Sequence, residues 1–155
     1  MFAPQDPITR AEFVQLLYNR EGAPAVSGAA VRFDDVKEGA WYADAVDWAA
    51  ETGLVKGTSE TAFSPAANIT RQDMAVILNS YVELVEKKPL KVKNDKQVFK
   101  DRERIAGYAA EAVTAMQTGG ILNGVQAADG GFSFKPRDDA TRAEAAKMIA
   151  ALFQR

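Results

Sequence analysis

One short string occurs three times in this chain, and the spacing inside it is the same each time. The copies are Phe-Ala-Pro with Ile-Thr-Arg-Ala-Glu over residues 2–12, Phe-Ser-Pro with Ile-Thr-Arg-Gln-Asp over 63–73, and Phe-Lys-Pro with Ala-Thr-Arg-Ala-Glu over 134–144. In each copy the proline precedes the threonine by five residues, although the intervals between copies differ. Fixed spacing within a motif and variable spacing outside it indicate a structural unit that is used repeatedly.

Each copy predicts the start of a helix. A threonine hydroxyl accepts a bond from an unpaired amide of the first turn, which makes good N-caps of Thr9, Thr70 and Thr141. The acid three residues later completes a capping box, for which Asp73 is a shorter side chain than the glutamates of the other copies. Apolar residues then recur at helical spacing, as in Met74, Ile77, Leu78 and Tyr81.

The arginine after each threonine is not explained by helix formation. Arg10, Arg71 and Arg142 occupy the first helical position, where the macrodipole disfavours a cation by up to about 1 kcal/mol. Two interpretations are open. The side chain bends back to an acid or carbonyl of a neighbouring repeat, or it joins free first-turn amides in binding a carboxylate or phosphate. Recurrence in three copies favours the anion site.

A second repeated half lies between these helices. Its copies begin with Phe-Asp-Asp-Val at residues 33–36 and Phe-Lys-Asp at 99–101. Each then has an aromatic residue that opens a short helix, a glycine that suits a left-handed C-cap, and a second glycine that permits a tight turn: Trp41, Gly53 and Gly57, then Tyr108, Gly120 and Gly124. The chain thus contains two complete repeats and a leading half repeat, whose short helix would precede Phe2.

This ordered set of motifs resembles the S-layer homology repeat of bacterial envelope proteins. The resemblance implies an all-α fold, with tandem repeats forming a pseudo-threefold helical bundle or spindle that is incomplete unless a second chain completes it. We expect one S-layer homology domain over residues 1–155. It would comprise the C-terminal half of a first repeat over 1–22, complete repeats over 32–87 and 98–155, and linkers over 23–31 and 88–97.

The resemblance also implies an extracellular location, in the cell wall or S-layer, and a non-covalent anchoring function. The partner would be an anionic, often pyruvylated, secondary cell-wall polysaccharide or another polymer associated with peptidoglycan, bound in grooves between repeats. A pyruvate ketal presents a planar carboxylate, which suits the guanidinium fork better than it suits lysine.

The residues that would bind this polymer follow from the same resemblance, with the arginine of one repeat paired with the next repeat. The expected sets are Arg10 with Asp35 and Trp41, Arg71 with Asp101 and Tyr108, and Arg142 in an incomplete groove, while Gly57 and Gly124 would let backbone amides approach the ligand. The aspartates have an alternative role as N-terminal caps of the short helices. Trp48, Phe63 and Phe134 are predicted to lie in the core.

Composition argues against several other classes of protein. The net charge of −2 gives no case for nucleic-acid binding, and no apolar run reaches the ~18 residues of a membrane span. The chain has no cysteine and no histidine, so thiolate metal sites and the usual general base are absent. We therefore expect no cofactor, no metal, no membrane insertion and no catalytic residue.

Two alternatives to wall anchoring stay open. A structural or oligomerisation module would use the arginines as clamps between repeats and bind no saccharide. Part of a glycan-active enzyme is less favoured, because the adjacent acids at residues 34–35 and 138–139 precede predicted helices, where acids cap.

The start of the chain carries a further expectation. Met1 lies directly within a repeat, without a signal peptide, which indicates a segment excised from a longer exported protein. Loss of a short helix would uncover apolar surface around Phe13, Leu16 and Leu17, and such a patch favours self-association.

Overall fold

A computed structural model describes residues 4–27, 33–93, 98–126 and 128–154. The chain divides into two compact units, one formed by Ile8–Ile69 and the other by Met1–Pro7 together with Thr70–Arg155. The Ile8–Ile69 unit contains helices α1 (Arg10–Arg20) and α2 (Ala43–Glu51). The other unit contains α3 (Arg71–Ser80), a π-helical continuation (Tyr81–Glu86), 3-10 helices (Arg102–Arg104 and Gly107–Ala109), α4 (Ala110–Thr118) and α5 (Arg142–Phe153).

The predicted helical architecture is confirmed, but the expectation of an all-α fold is wrong in one place. The enlarged loop of the last repeat carries two short antiparallel strands, β1 (Val125–Gln126) and β2 (Phe132–Ser133). The Lys100 amide donates to the Phe132 carbonyl at 2.9 Å. In the preceding repeat Asp34 donates in the same way to Thr61 at 2.7 Å. Both repeats therefore have this backbone hydrogen bond, and in the last repeat its acceptor, Phe132, belongs to the hairpin.

The capping threonines behave as predicted. The Glu12 amide donates to the Thr9 hydroxyl at 3.1 Å, and the Thr9 amide donates back to the Glu12 carboxylate at 3.0 Å. Thr141 and Glu144 form the same reciprocal box. At the third site Thr70 accepts from the Asp73 amide, while the Asp73 carboxylate accepts a bond from the Tyr108 hydroxyl.

The short helices end at the predicted glycines. Gly53 directly follows the C-cap residue of α2 and has a φ of +80°. The amides of Leu54 and Val55 both donate to the Ala49 carbonyl. Gly120 repeats this at the end of α4, with a φ of +78°. The apolar pair after each glycine is buried, so the turn directs the chain into the core.

Aromatic pairs occupy the core of each unit. Tyr18 lies against Trp48 in the Ile8–Ile69 unit, with ring centroids 5.6 Å apart. In the other unit Phe99 stacks on Phe134 at 5.3 Å. Trp48, Phe63 and Phe134 are buried, as predicted.

The predicted apolar patch on α1 is wrong for two of its three residues. Phe13 and Leu17 are completely buried, and only Leu16 is exposed, at 42%. Phe13 and Leu17 are four residues apart and so share one helix face, and α1 packs against α2. A single exposed leucine is ordinary on a protein surface, so the stated reason for self-association is lost.

In the part of the chain that the structure describes, no helix has both the length and the apolar character needed to cross a membrane.

Candidate functional site

The first turns of the three long helices are occupied by backbone carbonyls. In each case the first two helical amides donate to a Phe-x-Pro segment, which we define as residues 2–6, 63–67 or 134–138. The bonds are Arg10 to Ala67 and Ala11 to Pro65, Arg71 to Asp138 and Gln72 to Pro136, and Arg142 to Asp6 and Ala143 to Pro4, at 2.9–3.1 Å. The anion-site interpretation assumed free first-turn amides, and these six are not free.

The Arg10 side chain is buried and bonded to a neighbouring repeat. Its Nε donates to the Phe63 carbonyl at 2.9 Å, and its guanidinium carbon lies 4.9 Å from the centroid of the Phe63 ring. Asp35 holds the same segment from the other side, because its carboxylate accepts the amides of Phe63 and Ser64 at 2.9 and 2.8 Å. We call Arg10, Asp35, Phe63 and Ser64 the Arg10 cluster.

The electrostatics of Asp35 follow from these bonds. Partial burial of its carboxyl would raise the pKa, but the Phe63 and Ser64 amides and the positive charge of Arg10 outweigh it. The net result is a pKa below the ordinary value. Hydrogen bonds to the ionised form are the main cause, so the carboxylate is charged when the segment is held.

The same arrangement recurs around Arg71. Its Nε donates to the Phe134 carbonyl at 2.6 Å, and the guanidinium carbon lies 5.2 Å from the Phe134 ring centroid. Asp101 accepts the amides of Phe134 and Lys135, each at 2.8 Å. We call Arg71, Asp101, Phe134 and Lys135 the Arg71 cluster. Arg71 also forms an ion pair with Glu144, the acid of the third capping box.

Burial lowers the pKa of Arg71, and the nearby carboxylates of Asp138 and Asp101 act in the opposite direction. A guanidinium stays protonated in proteins, so Arg71 is a buried cation surrounded by three acids. That compensation is what allows a charge to be buried.

The alternative role of Asp35 and Asp101 as caps of the short helices is wrong. Both carboxylates bind two consecutive amides of a Phe-x-Pro segment instead. The residue between the phenylalanine and the proline of each segment is left-handed, with a φ of +60° at Ser64 and +58° at Lys135. A left-handed residue turns successive amides towards one point, which creates an anion nest, and the aspartate fills it.

The predicted aromatic residues lie on the surface. Trp41 is 63% exposed and packs edge-on against Tyr42, with ring centroids 5.0 Å apart. Tyr108 is 65% exposed, and its hydroxyl bonds to Asp73. Arg142 is half-buried. Both rings therefore lie largely in solvent.

The two predicted glycines lie close to the phenylalanines that open each repeat. A Cβ on Gly57, whose φ is +87°, would lie 2.5 Å from the Ala62 carbonyl oxygen and 2.6 Å from the Phe33 ring, and one on Gly124 would lie 2.6 Å from the Phe99 ring. Both glycines therefore make room for an aromatic ring of the core. Approach of a ligand to their amides stays a prediction.

A surface cavity lies beside the Arg71 cluster, with a volume of about 590 Å³. It is bounded by the 3-10 helix Arg102–Arg104 on one side and by the Phe-x-Pro segment on the other. Its lining residues are Asp101, Glu103, Arg104, Lys135, Pro136, Arg137 and Asp138, and we call it the Pro136 cavity. Sequence reasoning missed its cations, although Arg137 and Lys135 both lie within the third repeated string.

Within residues 4–27, 33–93, 98–126 and 128–154, no group of three or more carboxylate, imidazole or thiol side chains is arranged to hold a metal ion.

The fold and these clusters define a repeated helical module. An arginine of one repeat contacts the Phe-x-Pro segment of the next repeat, and an aspartate of that next repeat holds the same segment. The sequence profile of the S-layer homology domain matches residues 1–14, 32–75 and 98–146. These ranges make up more than half of the chain, so the chain belongs to the S-layer homology domain family. Membership places it at the bacterial cell surface, in the cell wall or S-layer.

Curated relatives align with almost the whole chain. An amylopullulanase of Thermoanaerobacterium thermosulfurigenes is 31% identical over 99% of this chain and 8% of its own length. The surface-layer 125 kDa protein of Lysinibacillus sphaericus is 30% identical over 96% of this chain and 12% of its own length. The cellulosome-anchoring protein of Acetivibrio thermocellus is 27% identical over 96% of this chain and 32% of its own length.

The chain therefore spans about a third or less of each of these relatives. These three relatives have different names, and each resembles this chain over only a minor part of its own length. Family and relatives together support a role in cell-surface anchoring.

Proposed function

We propose that this chain is a non-covalent anchoring module that binds an anionic cell-wall polymer, with a pyruvylated secondary cell-wall polysaccharide as the expected class. The observation that carries the proposal is the recurrence of one cluster. The Phe-x-Pro segment of each complete repeat is held by a buried arginine of the preceding repeat and by an aspartate of its own repeat. In one of them that segment borders an open cavity of about 590 Å³, a size that suits a small saccharide.

The proposed roles of the predicted residues follow from their positions. In this proposal the guanidinium groups of Arg10, Arg71 and Arg142 supply hydrogen-bond donors to the carboxylate of a pyruvate ketal. Asp35 and Asp101 fix the Phe-x-Pro segment that forms one wall of each complete site.

The exposed rings supply the sugar contact in this proposal. Trp41 and Tyr108 offer apolar faces to the pyranose ring. Gly57 and Gly124 keep the turn beside the wall narrow enough for backbone amides to approach the ligand.

The names of the relatives agree with this function. One is called a cellulosome-anchoring protein and another a surface-layer protein. The amylopullulanase shares only 8% of its length with the chain, which is consistent with an attached binding module without catalytic activity. We also propose that the repeats are arranged as the pseudo-threefold spindle that the family resemblance implies.

A second candidate function has one observation in its favour. Arg10 and Arg71 are 8% and 5% exposed, and each uses its Nε for a carbonyl bond. Arginines in that position suit structural clamps between repeats. A purely structural or oligomerisation module would have the same clamps and would bind no saccharide.

Binding to purified sacculi separates the two functions. Wild-type protein is incubated with sacculi that retain the secondary polymer and with sacculi stripped of it, and the bound fraction is measured. Wall anchoring predicts retention that depends on the polymer. The double variant Arg10→Ala with Arg71→Ala should lose retention, and circular dichroism checks its fold.

Because both arginines are buried, the exposed residue Trp41 provides an independent variant. Trp41→Ala should fold normally and bind more weakly, whereas Lys147→Ala, an exposed substitution on α5, should bind as wild type does. Equal retention of wild type on intact and stripped sacculi would reject polymer anchoring.

A further inference from the structure

We infer that a groove in the unit containing Thr70–Arg155 is a docking site for an aromatic side chain on an acidic segment of a partner protein. The groove has a volume of about 510 Å³. It lies between α3 with its π-helical continuation, α4, and the connecting segment over residues 87–93, and we call it the Asn79 groove. None of the described residues lines both this groove and the Pro136 cavity, so the inference is independent of the proposed saccharide site.

The preceding repeat has two large aromatic side chains at the corresponding place. Alignment of the long helices on their Thr-Arg starts pairs Asn79 with Tyr18. Alignment of the short helices on the glycines that end them pairs Ala115 with Trp48. Tyr18 and Trp48 are buried against each other, with ring centroids 5.6 Å apart. An aromatic side chain buries about 150–250 Å², so the change of both to Asn79 and Ala115, which line the groove, accounts for the open space.

The surroundings of these positions match in the two repeats. In the Ile8–Ile69 unit the Ser27 hydroxyl donates to the Glu51 carboxylate at 2.6 Å, which fixes the connecting segment at the end of α2. In the other unit the Lys93 amide donates to the Thr118 carbonyl at 2.6 Å, and Thr118 aligns with Glu51. In each unit the long helix packs against the short one. The space beneath the connecting segment is therefore common to both repeats, and its filling differs.

The filled space shows which kind of side chain suits it. The Tyr18 hydroxyl donates to the Pro24 carbonyl of its connecting segment at 2.8 Å, and buried tyrosine and tryptophan usually find such a partner. The lining of the Asn79 groove includes Pro89 of the second connecting segment and the side-chain amide of Asn79. A ring that carries a hydroxyl or an N–H group therefore has acceptors within the lining.

The walls of the groove are mainly apolar and only partly covered by the chain itself. Val82 is buried, whereas Val92 is 68% exposed, and both line the groove. Leu90 reaches the end of α4, where a Cβ on Gly119 would lie 3.0 Å from its side chain. Space for a further apolar group stays open beside Leu90. Tyrosine and tryptophan that enter such pockets are the usual anchors of protein interfaces.

The charge near the groove points to an acidic partner. Residues 83–93 include four lysines and two glutamates, a net charge of +2, whereas the aligned residues 22–31 carry no charged side chain. Lys87, Lys88 and Glu83 line the groove itself. Positive charge therefore accompanies the open groove and not the filled one. Acidic residues beside the entering aromatic side chain would complement it.

Calorimetric titration of the whole chain with blocked pentapeptides tests the inference. The first peptide has tryptophan between two aspartates on each side, the second has alanine in place of tryptophan, and the third has lysines in place of the aspartates. We expect the first peptide to bind at least tenfold more tightly than either of the others. Equal affinity of the tryptophan and alanine peptides would overturn the inference, as would no binding of any peptide.

A variant that fills the groove links this binding to its place on the surface. Asn79→Tyr with Ala115→Trp restores the aromatic pair of the preceding repeat, so it should melt no lower than wild type and lose at least tenfold in affinity for the first peptide. The matched control Thr114→Trp adds an indole at an exposed position of α4 outside the groove lining and should stay within twofold. Unchanged affinity of the folded double variant would place the peptide elsewhere and refute the site.

A second variant leaves the groove open and removes its cations. Lys87→Gln with Lys88→Gln should weaken the first peptide at least threefold and leave a peptide with serines in place of the aspartates within twofold, as should the exposed control Lys56→Gln with Lys147→Gln for both peptides. Wild-type affinity of the lysine variant for the first peptide would contradict recognition of an acidic partner. If this variant instead loses retention on intact sacculi, the lysines serve the wall polymer, and the inference fails while the proposed function stands.

Discussion

The Arg10 and Arg71 clusters have the same internal frame and different surfaces. In both, an arginine Nε bonds to a phenylalanine carbonyl, and an aspartate bonds to two consecutive amides. Around that frame, the Arg71 cluster borders a cavity lined by three cations and three acids. The aligned positions near the Arg10 cluster carry one cation, Lys37, and two acids, Asp35 and Glu38.

This comparison separates the residues that hold the fold together from the surface residues that can vary between repeats. The frame satisfies buried polar groups, so any loss within it leaves an unpaired charge or carbonyl. The surface around the frame is exposed to water, where most substitutions change stability little. Repeats can therefore keep one frame and differ in what they bind. The following predictions test that division, and each group of variants begins with its largest expected effect.

The largest effect is expected at the glycines beside the frame. Gly57→Ala should lower the free energy of unfolding by about 3 kcal/mol, because it combines left-handed strain with overpacking against the Ala62 carbonyl and the Phe33 ring. Gly124→Ala, which lies outside the left-handed region, should cost about 2 kcal/mol from overpacking alone. Gly39→Ala, with a φ of +82° and open space around it, should cost about 1 kcal/mol.

Chemical denaturation followed by circular dichroism measures all three. If Gly39→Ala proved as damaging as Gly57→Ala, backbone strain rather than contact with the Ala62 carbonyl and the Phe33 ring would decide the cost.

The next effect concerns the buried arginine. Arg71→Ala should destabilise the protein by about 3 kcal/mol, because Asp101, Asp138 and Glu144 lose the cation they surround. Arg71→Lys keeps the charge but lacks the Nε bond to Phe134, so it should fall between alanine and wild type. The exposed Arg102→Ala serves as control, and a loss equal to that of Arg71→Ala would refute the frame.

A smaller, pH-dependent effect is expected at Asp35. Its pKa in the folded protein lies below the ordinary value of 3.8, so its stabilisation is complete above that value and disappears as the pH falls through the folded pKa. Asp35→Asn should cost about 1 kcal/mol near neutral pH.

The difference between wild type and Asp35→Asn should shrink in acid, which thermal unfolding at a series of pH values measures. A difference that does not change between neutral and strongly acid pH would show that the charge of Asp35 does not hold Phe63 and Ser64.

The smallest stability effect is expected at the exposed rings. Trp41→Ala and Tyr108→Phe should change the free energy of unfolding by no more than about 0.5 kcal/mol, since both rings are mainly in water. Trp41→Ala should nevertheless weaken retention on sacculi. A large fall in thermal stability with unchanged retention would make Trp41 a structural residue.

Much of the helical organisation was predictable because its causes are local. Thr9 with Glu12, and Thr141 with Glu144, form capping boxes within four residues of chain, and Gly53 ends α2 through its own φ. Such features depend on neighbouring residues and so appear directly in the sequence. The burial of Trp48, Phe63 and Phe134 followed from their apolar surroundings in the same way.

The candidate site was predictable only in part, because its bonds join distant residues. The sequence singled out Arg71 and Asp101 as site residues. It did not predict that both bind the Phe-x-Pro segment at Phe134. Arg71 is 63 positions from Phe134, and Asp101 is 33. Asp35 and Asp101 looked like helix caps because acids before helices usually are.

Short, ordered motifs made three things predictable from the sequence alone: the repeat, the starts and ends of its helices, and the family of the chain. The tertiary structure decided that the first-turn amides are satisfied by carbonyls, that the aspartates fill backbone nests, and that Arg104, Lys135 and Arg137 meet around one cavity. Those outcomes depend on which segments are brought together in space, and a buried polar group takes whichever partner folding places beside it.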